Sequence, residues 1–216
     1  MSDKAKFPES KDHLNKTLLE ELNYKVWSTR GARFNASKRL LIKNDLSNRA
    51  IAFLTAYLII FGLLSVYQIS NKEFFNEKII AFGSTTISIL LFTFSQMEAA
   101  QDYKMRAHKY HECALKISSI YIKLRSFKTF GTHNEIEKKE FSDKLGDKYQ
   151  KVLEHYTNHE AIDYKIFMVQ NKDYFKLGWM KIFQIYIQYY SQTKFLYHLL
   201  MVVPPVLFFA ILHWAK

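Results

Sequence analysis

Hydrophobic positions in this chain alternate between two rhythms, long uncharged blocks and sparse helical stripes. Residues 50 to 69, AIAFLTAYLIIFGLLSVYQI, form a 20-residue run without charge, and residues 79 to 97, IIAFGSTTISILLFTFSQM, form a second. At about 1.5 Å per residue, each matches the roughly 30 Å hydrocarbon core of a bilayer and predicts a transmembrane helix. The nine residues between them, SNKEFFNEK, suffice only for a tight hairpin. A third block, residues 195 to 215, has no Asp, Glu, Lys or Arg and carries Pro204 and Pro205 at its centre. It predicts a C-terminal membrane segment, either a kinked full span or a pair of interfacial half-helices.

Outside these blocks the period is helical. Leu14, Leu18, Leu22 and Val26 repeat every four residues, and a second short helix with Phe34, Leu40 and Leu41 interleaved by Arg33, Lys38, Arg39 and Lys43 follows a break expected near Gly31. A basic helix leading into a span belongs at headgroup level, with Ser47 as N-cap of the first span. No Gly or Pro occurs between residue 98 and Gly131, so the second span is expected to run on without interruption. It carries Tyr103, Ala107, Tyr110, Ala114, Ile117, Tyr121 and Leu124 in heptad spacing. After FGTHN at 130 to 134, a facing stripe runs Phe141, Leu145, Tyr149, Val152, Tyr156, His159, Asp163, which predicts an antiparallel helical hairpin. With its turn at residue 130, His159 is expected beside Gln101 and Tyr103. Residues 173 to 193, rich in Tyr, Trp and Phe, predict a helix along the membrane interface.

The fold class expected is therefore all-α and membrane-integral, with a transmembrane hairpin, a cytoplasmic antiparallel helical bundle and a third C-terminal membrane segment. Four regions follow: residues 1–49, 50–97, 98–172 and 173–216. Residues 1 to 49 carry eleven Lys and Arg against six acids, and residues 98 to 194 carry seventeen against twelve. The positive-inside rule puts both long segments in the cytoplasm. The net charge of +11 is accounted for by these membrane flanks, so no dedicated nucleic-acid surface is expected. The single cysteine, Cys113, forms no intrachain disulfide.

Several local words resemble the SLATT family of bacterial conflict systems: WSTRGARFNASKRL before the first span, MRAHKYHECALKISSIYIKL after the second, and YQKVLEHYTNHEAIDYK. The resemblance covers residues from about 24 to 165. It implies a membrane effector of antiviral defence at the bacterial inner membrane that oligomerises to form a pore or otherwise disrupt the bilayer. The trigger it implies is a sensor protein or a nucleotide second messenger. A membrane-anchored scaffold recruiting a partner is the rival reading.

Two constellations bear on chemistry. His155, His159 and Asp163, four residues apart, fall on one helical face and suit either a structural polar network or, with His108 and His111, a mixed metal site. No zinc-protease or paired-cysteine motif supports the metal, so no cofactor is expected. Without a phosphate loop or nucleophile elbow, no catalytic residue is assigned. In the second span, Ser84, Ser88 and Ser95 share a face that either lines a pore or packs against a helix.

Overall fold

The structure, a computed structural model, describes residues 17–67 and 77–214. Among these, every regular element is helical: α1 (Leu18–Tyr67), α2 (Glu77–Ala99), α3 (Tyr103–Thr129), α4 (Glu135–Glu154), α5 (Ala161–Gln170), α6 (Trp179–Tyr190) and α7 (Leu196–Trp214), with a π-helical turn at Ser191–Phe195. Leu14, Lys216 and most of the link at 70–78 lie outside the described residues. The chain divides into one unit of Met1–Lys38 and Ala107–Ile185 and another of Arg39–Arg106 and Tyr186–Lys216.

In the first unit the core is built by stripes from three helices. Leu22 and Val26 of α1, Cys113, Ile117, Ile120 and Leu124 of α3, and Leu145 and Tyr149 of α4 are all buried and in one cluster. Fully burying an Ile or Leu contributes about 1.5–3 kcal/mol each, so this cluster dominates the unit's stability. The heptad stripe expected on α3 is the buried one, and Cys113 and Ile120 join it. α3 and α4 meet in antiparallel register: Phe127 stacks on Phe141 at 3.8 Å, and Lys116 Nζ donates to the Tyr156 hydroxyl at 2.6 Å. The register differs from the sequence expectation because the hairpin turns nearer Asn134 than Phe130. Asn134 caps α4 in a capping box with Glu137, and Gly131 takes a φ of +138. Tyr110 rather than Tyr103 therefore meets the residue before His159, through a hydroxyl that donates to the Asn158 carbonyl at 2.8 Å.

Other expectations about helix ends are also corrected. α1 runs through Gly31 and Ser47 without a break. One glycine costs a helix interior about 1 kcal/mol, too little to end a helix whose buried stripe continues on both sides. Ser47 is therefore a buried mid-helix residue and not an N-cap. In the opposite sense, α2 stops at Ala99 and α3 starts at Tyr103. The bend needs no glycine because Asp102 adopts a φ of +48, a left-handed conformation that Asp tolerates better than most residues. The aromatic helix begins at Trp179, since Lys176 takes a φ of +49 in the preceding turn. Tyr174 and Phe175 lie in that turn and pack on Trp27.

In the second unit, α1 and α2 leave large apolar side chains uncovered, among them Phe53, Ile59, Ile60 and Leu63 on α1 and Phe82, Ile89, Leu90 and Phe92 on α2. Among the described residues one helix, the Leu18–Leu63 part of α1, is long and apolar enough to cross a membrane, with 17% of its apolar window buried.

Gly31 has a packing role. A Cβ there would collide with the Phe167 ring, and that ring is buried and held edge-on by Trp27 at 4.7 Å. Gly31→Ala should therefore lower stability by about 1–3 kcal/mol in spite of alanine's better helix propensity. Thermal unfolding of the purified variant checks this, and stabilisation would contradict the packing account.

Candidate functional site: a buried polar clasp and a serine stripe

The stretch HYTNHEAIDY does not form one helical face. α4 ends at Glu154 and α5 begins at Ala161, so residues 155–160 are a break, and the three residues expected on one stripe separate. His155 is exposed at the C-terminal cap of α4. His159 is half-buried in the break, and Asp163 is fully buried in the first turn of α5, where its Oδ2 accepts the Glu160 N–H at 3.0 Å. His108 and His111 are exposed on α3, with His111 against Phe34 at 5.5 Å. Among the described residues no group of three or more His, Cys, Asp or Glu lies together as a metal-binding set.

What holds the break in place comes from α1. Arg33 is 1% exposed; its guanidinium donates to the Thr157 carbonyl and, at 3.2 Å, to Asn158 Oδ1. It also lies over the Tyr110 ring at 5.6 Å. Asn35 Nδ2 donates to the Asp163 carbonyl at 3.3 Å and exchanges two amide hydrogen bonds with Gln170, at 3.1 and 3.0 Å. Thr29 accepts the Tyr149 hydroxyl at 2.8 Å, Arg30 covers the Tyr121 ring at 4.3 Å, and the Tyr24 and Tyr164 hydroxyls pair at 2.7 Å. Nearly every residue from Trp27 to Asn35 thus has a contact on α3, α4, α5 or the turns beside them.

The placement of Arg33 corrects the reading of this helix as a basic strip at headgroup level. Arg33 and Arg39 are both buried, and only Lys38 of that group is exposed. The signal was present: Arg33 stands seven residues after Val26 and seven before Leu40, which puts it on the apolar stripe. A guanidinium on such a stripe must find acceptors, since an unpaired buried charge is costly. Cys113 beside it is buried, and burial raises its thiol pKa, which disfavours the thiolate.

In the second unit, Ser84, Ser88 and Ser95 are half-buried and share one side of α2 with Ile87, Leu91 and Phe94. Ser88 donates to the Ser84 carbonyl and Ser95 to the Phe92 carbonyl, both at 2.8 Å. Thr86 and Thr93 bond back to Phe82 and Ile89 in the same way. Such back-bonding lets hydroxyls sit in an apolar layer without water. Ser95 also borders a cavity of about 170 Å³, shared with Asn44, Ser47 and Asn48 of α1 and with Glu98 and Asp102.

Residues 15–211 match the model of the SMODS and SLOG-associating 2TM effector domain family 5. The chain belongs to this family. No curated protein and no solved structure matches it. As a SLATT family 5 member it carries a domain described as a two-transmembrane effector. Within this SLATT chain, residues 27–35 of the word WSTRGARFNASKRL hydrogen-bond to the word YQKVLEHYTNHEAIDYK.

His159 makes that arrangement sensitive to acid. Its buried Nδ1 has no hydrogen-bond partner among the described residues. Burial lowers its pKa first, the Arg33 charge lowers it further, and Asp163 opposes both. The folded value lies below the ordinary value of about 6.5, so below that pH the unfolded chain binds the extra proton more readily. The stability that neutral His159 contributes is complete above about pH 6.5 and is lost as pH falls. Unfolding temperatures compared at about pH 7.5 and about pH 5.5 should fall less in His159→Gln than in the wild type. An equal fall would remove His159 from the acid response.

Proposed function

We propose that the protein is a membrane effector of bacterial antiviral defence, which oligomerises and opens or disrupts the inner membrane when a sensor protein or nucleotide signal activates it. The observation that carries this is the uncovered apolar half of α1 in a chain of an effector family: a window fit to cross a bilayer with 17% of it buried. In water such a surface would drive aggregation, whereas in lipid it is already solvated. On this reading α1 and α2 form a transmembrane hairpin. The Lys and Arg excess of residues 1–49 and 98–194 supports a cytoplasmic location for both long segments, with α3 to α5 as a cytoplasmic bundle. No ionisable side chain interrupts residues 50–69 or 79–97, which favours a passive path over a coupled transporter.

The serine stripe bears on how such a path would form. In the single chain, Ser84, Ser88 and Ser95 face inward, and the Ser88 and Ser95 hydroxyls bond to carbonyls of their own helix, which favours a packing role at rest. A scaffold that never conducts is the second reading, and this inward placement is the observation in its favour. Induced expression in cells loaded with a potential-sensitive dye separates the two. The effector reading expects depolarisation and potassium loss before viability falls, and the scaffold reading expects neither at equal protein levels.

Ser88→Leu refines the test. If the stripe lines a path in the oligomer, leakage should drop at least tenfold while crosslinked oligomer size is unchanged, because a bulky apolar constriction expels water; that change corresponds to about 1.4 kcal/mol. Loss of the oligomer together with leakage would assign the stripe to helix packing.

A further inference from the structure

Pro204 and Pro205 lie inside α7. Having no N–H, each proline leaves without a donor the carbonyl four residues before it, here those of Leu200 and Met201. Where water is absent, such a carbonyl must find a donor on a neighbouring element. For Met201 it does: the Tyr57 hydroxyl of α1 donates to the Met201 carbonyl at 2.8 Å. Tyr57 stands seven residues inside the uncharged run that begins at Ala50. One helical turn earlier on α7, the buried Tyr197 donates to Glu98 Oε2 at 2.8 Å, with the Tyr103 hydroxyl 3.3 Å away. Glu98 closes the apolar run of α2. The start of α7 is thus level with the end of the second run, and the next turn of α7 lies beside the interior of the first.

Beyond that point α7 presents Val202, Val203, Val206 and Leu207 outward. Its 19 residues reach about 28 Å, close to the full hydrocarbon thickness. We propose that α7 is a third membrane-crossing helix, which enters from the side where α2 ends, and that Tyr57 is the positioning residue that satisfies the carbonyl freed by Pro205. The outward face of α7 is then covered by lipid. This goes beyond a two-transmembrane domain and does not depend on conduction: a chain with this topology that never depolarises cells would retain the third helix and lose only the pore.

Two measurements on the full chain test it. In a Cys113→Ala background, Lys194→Cys and Trp214→Cys should react with an impermeant maleimide from opposite faces of the membrane, and reaction from the same face would overturn the crossing. In detergent, Tyr57→Phe should lower the folding equilibrium constant about threefold, the scale of single hydrogen bonds between membrane helices. The same substitution in a Pro205→Ala chain, where an alanine N–H can return to Met201, should have almost no effect. An equal loss in both backgrounds, or none in either, would overturn the role assigned to Tyr57.

Discussion

A buried guanidinium that must be hydrogen-bonded organises the first unit of this protein. Where α4 ends, its last carbonyls lose their helical donors, and the break at 155–160 adds more unpaired backbone. Arg33 and Tyr110 supply donors to Thr157 and Asn158 from two other helices. The guanidinium would itself be costly to bury without acceptors, and the break supplies them to its two terminal nitrogens, while Nε has no acceptor among the described residues. Once the break is fixed, α5 is fixed with it. Phe167 then lies over Gly31, Asn35 reaches Gln170, and the turn after α5 brings Tyr174 and Phe175 onto Trp27.

The same accounting governs the membrane-directed helices, with different partners. In α2 the hydroxyls of Ser88, Ser95, Thr86 and Thr93 all return to carbonyls of their own helix, so a polar sequence is carried without water. In α7 the prolines break that self-sufficiency, and the donor for Met201 comes from Tyr57 on α1.

The sequence shows its elements more clearly than their ends. The stripes of α1, α3 and α4 were legible because burial repeats the apolar period, as at Val26, Ile117 and Leu145. The breaks at 100–102 and 155–160 were not, because neither contains glycine or proline. Asp102 and Lys176 take left-handed conformations, and the end of α4 is held by a side chain more than a hundred residues away. Gly31, the obvious breaker, is instead a site of close approach in an unbroken helix. The cluster of His155, His159 and Asp163 was visible as a polar interruption, but its single-face geometry assumed a helix that stops at Glu154. Arg33 reads as a headgroup contact because basic residues near a membrane span ordinarily are, although its spacing places it on the buried stripe.

Residues 27–35 of the first family word and residues 149–165 of the third are therefore joined by hydrogen bonding. Hydrogen exchange across residues 155–170 in the wild type and in Arg33→Met tests this most directly. If the guanidinium holds the break, amides of the break and of α5 should exchange at least tenfold faster in the variant, corresponding to about 1.4 kcal/mol, while those of α3 around Ile117 keep most of their protection. Unchanged exchange at residues 155–170 would contradict the account, because the break would then be held by something other than Arg33.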